Sequence, residues 1–148
     1  MPRKYVLDAS VVARAFLPDR RWHKDAERIL ALLLAGDMAV LAPENARYEF
    51  CGLITKTFRK RRWSADQALA AVRAFERLPI LYFDPREFVE SAVRLAFTHG
   101  KGFYDMCYFA VGHQEGVPVC TADEKSVRSV GENFPCEFVL LVDFFGLP

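Results

Sequence analysis

No stretch of this 148-residue chain approaches the ~20 consecutive apolar residues that a membrane-spanning helix needs. No signal peptide is visible either, because Met1-Pro-Arg-Lys runs straight into a short strand pattern, so a soluble, cytoplasmic protein is expected. An excess of one charge is missing too. Twenty basic against 19 acidic side chains leave a formal charge of +1, which excludes the strongly cationic surface of a protein that coats nucleic acid. Only four cysteines occur, Cys51, Cys107, Cys120 and Cys136, with no CxxC pair and no histidines at zinc-finger intervals. They read as small buried hydrophobes rather than as a zinc site or a disulfide framework. No GxGxxG follows the first strand, and GxxxxGK[ST] and GxSxG are absent, which argues against dinucleotide, P-loop and serine-hydrolase chemistry.

What remains is an ordinary globular composition, 52% hydrophobic and 26% charged, read as one domain over residues 1–148. A chain of this size buries roughly 68 to 70% of its unfolded surface, so it needs no structural metal to fold. Any metal is then functional. Short apolar runs at 4–7, 38–42, 80–83, 117–121 and 138–142 read as strands, and amphipathic patterns between them read as helices. The spacing predicts helices over 11–16, 23–34, 45–61, 85–99 and 104–114, and one opened by Ser64 that runs through Leu69, Val72 and Phe75, with Leu34, Leu53 and Leu69 among the inward residues. Ser64 with Gln67, and Asp84 with Pro85 and Glu87, carry capping-box signatures, so Asp84 reads as structural. Alternating strands and helices imply a mostly parallel five-stranded sheet in a three-layer α/β sandwich.

Four acids stand out against this background. Asp8 ends the first strand, Asp123 follows the fourth, Glu49 shares a helical face with Ala46 and Phe50, and Asp105 opens a helix apolar nearly all round. Burying ionised acids is costly without compensation, and no Lys or Arg occupies matching positions on those stripes. Each acid alone has a structural reading, as a cap, a loop anchor or a glutamate reaching solvent. Together they offer hard oxygen ligands at the carboxyl edge of a sheet, where ligands of such folds collect. That set suits Mg²⁺ or Mn²⁺, and the chemistry it supports is phosphodiester hydrolysis by water.

The stretches Tyr5-Val-Leu-Asp8-Ala-Ser10, Pro43 to Glu49, Phe103-Tyr-Asp105-Met-Cys-Tyr-Phe-Ala110 and Thr121-Ala-Asp123-Glu-Lys125 resemble the PIN-domain ribonucleases, especially VapC-type toxins of prokaryotic toxin–antitoxin pairs. The likeness spans nearly the whole chain. It implies that Asp8, Glu49, Asp105 and Asp123 bind Mg²⁺ or Mn²⁺ and catalyse endonucleolytic RNA cleavage, with Ser10 and Thr121 orienting the metal ligands. It also implies a homodimer and an antitoxin protein that covers the acidic groove. A helix cap and an ordinary strand residue are equally good readings of Ser10 and Thr121.

No strongly basic residue adjoins the Asp105 segment, so RNA must be gripped elsewhere. Lys56, Arg59, Lys60, Arg61 and Arg62, with Phe58 and Trp63 interleaved, form one candidate surface, although a solvated helix end explains them too. Arg14, with Arg20, Arg21, Lys24 and Trp22, forms a second beyond Asp8. Two rivals stay open: a catalytically silent module of this fold that binds RNA or protein, and a receiver-type signalling domain. The latter lacks its adjacent acidic pair near strand one and its Lys after strand five.

Overall fold

The computed structural model describes residues 1–128, 130 and 133–146. Among them five strands make one parallel sheet: β1 (Arg3–Leu7), β2 (Met38–Pro43), β3 (Ile80–Phe83), β4 (Val119–Thr121) and β5 (Phe138–Leu140), in the order β3-β2-β1-β4-β5. Successive strands step outward from β1 to β3, then the chain crosses back to place β4 on the other side of β1. The direction of winding therefore reverses between β1 and β4. A crevice opens there at the carboxyl ends of the strands, and the residues following β1 and β4 face into it.

Helices cover the sheet: α1 (Ala9–Arg14), α2 (His23–Ala35), α3 (Asn45–Lys60), α4 (Ala65–Glu76), α5 (Pro85–His99), α6 (Phe103–Glu115) and α7 (Glu124–Arg128). Both capping boxes form, Ser64 with Gln67 and Asp84 with Glu87, so Asp84 satisfies orphan amides of α5. On α3, Phe50 is fully buried between Phe75, stacked at 4.1 Å, and Phe16, edge-on at 5.4 Å. These three rings fix α3 against α4 and the segment that follows α1. Helix α6 is buried from Met106 to Gly112, as its all-round apolar sequence predicts.

Several expectations shift. Leu34, Leu53 and Leu69 are exposed, because the buried stripes run through Ile29 and Leu33 on α2, Ala46, Phe50 and Ile54 on α3, and Ala71 and Phe75 on α4. Glu49 consequently flanks the buried face of α3 instead of lying at its centre. Strand β4 starts at Val119 because the amide of Val117 is taken by the Gly112 carbonyl at 2.9 Å, closing the end of α6. Strand β5 stops at Leu140, after which 141–146 turn into a 3₁₀ helix. Helix α7 is an addition, begun by Asp123, whose Oδ1 accepts from the Lys125 amide at 3.1 Å. All four cysteines are free thiols, three of them buried. No described helix is long and apolar enough to cross a membrane.

Candidate functional site

Asp8 lies one residue past the β1–β4 pair Leu7–Cys120, with its amide donating to the Cys120 carbonyl at 3.0 Å. Its backbone is extended, φ −66° and ψ 143°, which turns the side chain back over the start of α1. There Oδ1 accepts from the Ser10 amide at 3.0 Å, while Oδ2 accepts from Thr121 Oγ1 at 2.9 Å. The same threonine oxygen accepts from the Asp123 amide at 3.1 Å. One buried hydroxyl thus ties the end of β1 to the loop after β4. Thr121 is a crossing point for Asp8 and Asp123 as well as a strand residue.

Glu49, one turn into α3, is held by two neutral donors. Asn45 Nδ2 donates to Oε1 at 2.7 Å and the Tyr108 hydroxyl donates to Oε2 at 3.0 Å. Tyr108 is 1% exposed, and its oxygen also accepts from the Ala9 amide at 3.4 Å. A single phenol therefore links α6, the Glu49 carboxylate and the start of α1. Neither Asn45 nor Tyr108 stood out as a site residue in the sequence. The available signals were the i, i+4 spacing of Asn45 to Glu49 and a tyrosine on an otherwise apolar helix.

The electrostatics follow from this burial. The Asp8 carboxyl is pushed above its ordinary range by burial, partly offset by the Ser10 amide and the Thr121 hydroxyl, with repulsion from Asp105 and Asp123 adding to the rise. Glu49 is raised in the same way, by burial first, against the opposing bonds from Asn45 and Tyr108, and then by Asp8 and Asp105. Tyr108 is held well above the usual phenol value by burial and by the charges of Asp8 and Glu49, so it remains a donor. Asp105 sits in the first turn of α6, exposed, with Oδ2 3.7 Å from where a β-carbon on Gly102 would stand. Asp123 is exposed as well. Asp8 feels the charges of Asp105 and Asp123, and Glu49 those of Asp8 and Asp105; Asp8 and Glu49 are partly buried and hydrogen-bonded, Asp105 and Asp123 exposed at the rim.

The donor chemistry fits a hard divalent cation. Among the described residues no ion pair reaches Asp8 or Glu49, so their bonds satisfy oxygen lone pairs without neutralising charge. Ser10 Oγ and Asn45 Oδ1 are buried beside them with no hydrogen-bond partner, two further oxygens available to an ion or its water. Among the described residues no three His, Cys, Asp or Glu side chains close on a single point. An open all-oxygen set of this kind suits an ion that keeps several waters, as Mg²⁺ does.

The basic residues divide differently from expectation. Arg14 is half-buried and electrostatically coupled to Asp8 and Asp123, a nearby cation that the helical stripes alone did not reveal. Burial and Arg20 lower its pKa, and the two acids oppose them. Lys56 and Lys60 lie seven and eleven residues beyond Glu49 on α3, hence on its stripe but about 10 and 16 Å along the axis. With Arg59 they line an exposed hollow around Gly52. Arg61 is ion-paired with Asp19 and lies over the Trp63 ring, Arg62 is exposed in a left-handed turn at φ 56°, and Phe58 is buried edge-on against Trp63. Phe58 is therefore core, not a stacking platform.

A five-stranded parallel sheet with an acidic centre at its switch point defines an α/β domain built around carboxylates. The PIN-domain family matches residues 5–133, and the chain belongs to that family. Ribonuclease VapC12 of Mycobacterium tuberculosis (strain CDC 1551 / Oshkosh) is 30% identical over 134 residues, covering 90% of this chain and 98% of its own. The fold is also similar to that of Mycobacterium tuberculosis VapC20, described as a sarcin-ricin loop cleaving toxin, with a TM-score of 0.64 at 20% identity, over 88% of this chain and 99% of that one. VapBC2 from Rickettsia felis, solved bound to a DNA fragment from its promoter, gives 0.64 at 15% identity, over 93% and 98%.

Proposed function

We propose that this chain is a metal-dependent endoribonuclease that cleaves phosphodiester bonds of single-stranded RNA, and that it is the toxin of a toxin–antitoxin pair. The observation that carries the reading is the pairing of two partly buried carboxylates, Asp8 and Glu49, each held by neutral donors and raised in pKa, with Asp105 and Asp123 at the rim. Such a cluster is unfavourable until a cation enters it. In this proposal Asp8, Glu49, Asp105 and Asp123 hold Mg²⁺ or Mn²⁺, and Ser10 contributes its unpartnered hydroxyl. When bound, the ion supplies Lewis acidity toward the phosphate and acidifies water. Thr121 keeps Asp8 and Asp123 at a fixed separation, and Asn45 and Tyr108 orient both oxygens of Glu49.

The relatives support action on RNA and the pairing with an antitoxin, and we assign the chain to the cytoplasm, a setting that suits its four free thiols. We assign a homodimer from the surface of α5. The exposed stripe Val89, Val93 and Phe97 along α5 is an apolar surface that a second copy would cover, and mass by light scattering measures it.

The test is cleavage of a mixed RNA pool by the purified chain with Mn²⁺, beside Asp105→Asn. Cleavage by the wild type that Asp105→Asn and EDTA both abolish is the expected result. A wild type that binds RNA with Mn²⁺ present and leaves it intact would make the chain a binding module instead.

A further inference from the structure

Beside the acidic centre, a cavity of about 360 Å³ is lined by Ser10, Arg14, Arg21, Trp22, Asp123 and Lys125, among others. It shares Ser10 and Asp123 with that centre, so a polymer leaving the acids enters it directly. Three of the six are cationic. Glu124, the cavity's second acid, is paired with Arg128 at 2.9 Å, and among the described residues no carboxylate pairs with Arg21.

The two arginines are arranged on a platform. Trp22 precedes α2 in the left-handed region, φ 61°, a conformation rare for a bulky residue, and its indole packs against the core. Arg21 and Arg14 lie over that ring, 4.6 and 5.9 Å from its centroid. A guanidinium stacked on an indole loses rotamer freedom while its N–H edge stays available for an oxyanion. Arg14 spends Nη1 on the Ser10 carbonyl at 3.0 Å, which fixes its charge at the cavity wall. Arg21 thus offers oriented, unspent donors beside a second held cation.

Resting on the nuclease reading, we infer that this cavity is a subsite for a backbone phosphodiester of the RNA strand flanking the scissile bond, bound by Arg21 and Arg14. The two guanidiniums lie over the indole ring, so the ring does not take a base. The subsite reads backbone charge and not sequence.

Anisotropy with fluorescent 12-mer oligouridylate and oligoadenylate, in EDTA across a range of NaCl, tests the inference. Neutralising one phosphate contributes about 0.7 to the slope of log affinity against log salt for a single strand. Arg21→Gln should lower that slope by about 0.7 for both oligomers, weaken binding several-fold at low salt, and melt with the wild type. Arg94→Gln, on exposed α5, should leave the slope unchanged. Equal slopes for Arg21→Gln and wild type, in protein that still cleaves RNA with Mn²⁺, would overturn the subsite and leave the nuclease. An Arg21→Gln loss confined to one oligomer would replace phosphate recognition with base recognition. Absence of cleavage by the wild type would remove the nuclease reading on which the flanking position depends.

Discussion

Replacing Tyr108 with Phe removes one oxygen from the centre of the site and leaves the ring in place. Two bonds go with it: the donor to Glu49 Oε2 at 3.0 Å and the acceptor for the Ala9 amide at 3.4 Å. A hydrogen bond to a charged group contributes about 1.5–3 kcal/mol, and Glu49 is only half-buried, which places its share near the lower figure. The Ala9 amide, left without its long partner, adds up to about 1 kcal/mol. Because the phenyl group conserves volume, no cavity term enters. The sum is a loss of about 2 kcal/mol, or a fall in Tm of about 4–8 °C for a chain of this size. Glu49, freed from its donor, is also pushed further above the carboxylate range, since that bond lowers its pKa. Metal binding requires the deprotonated acid, so the Mn²⁺ concentration giving half-maximal thermal stabilisation should rise several-fold, most at acid pH. Calorimetry with and without Mn²⁺ measures both effects. A Tyr108→Phe protein with wild-type Tm and wild-type Mn²⁺ dependence would refute the claim that this phenol positions Glu49.

Burial at the acids and close packing at Gly112 set two further outcomes. Asp8 and Glu49 bind protons more tightly in the folded chain than in the unfolded one, so in EDTA their contribution to stability falls as pH rises from their ordinary values of 3.8 and 4.5 through the raised folded values. Asp8→Asn removes one of these charges and should melt above the wild type at pH 7 and match it near pH 3; calorimetric scans showing it less stable at pH 7 would contradict the burial argument. Gly112→Ala should destabilise by about 1–3 kcal/mol despite alanine's better helix propensity, measured by urea unfolding, because its methyl would meet Val119, Cys136 and the Val117 carbonyl at 2.8–2.9 Å.

Much of the architecture was legible because strands and helices bury their faces at different periods. The run Tyr5-Val-Leu before Asp8, the all-round apolar α6 and the Asp84-Pro85 start of α5 each carry their structure locally. The three leucines misplaced toward the core, Leu34, Leu53 and Leu69, sit at the margins of their stripes, where neighbouring helices decide which side is covered.

The sequence by itself determined which elements carry the four acids, because the strand ends and helix starts near them are marked by local residues. Only the tertiary structure decided what those acids touch. Tyr108 meets Glu49 across 59 positions and Thr121 meets Asp8 across 113, separations over which local pattern carries no information. Arg14 approaches Asp123 for the same reason, since winding the sheet in two directions from β1 brings both sides of the chain to one crevice.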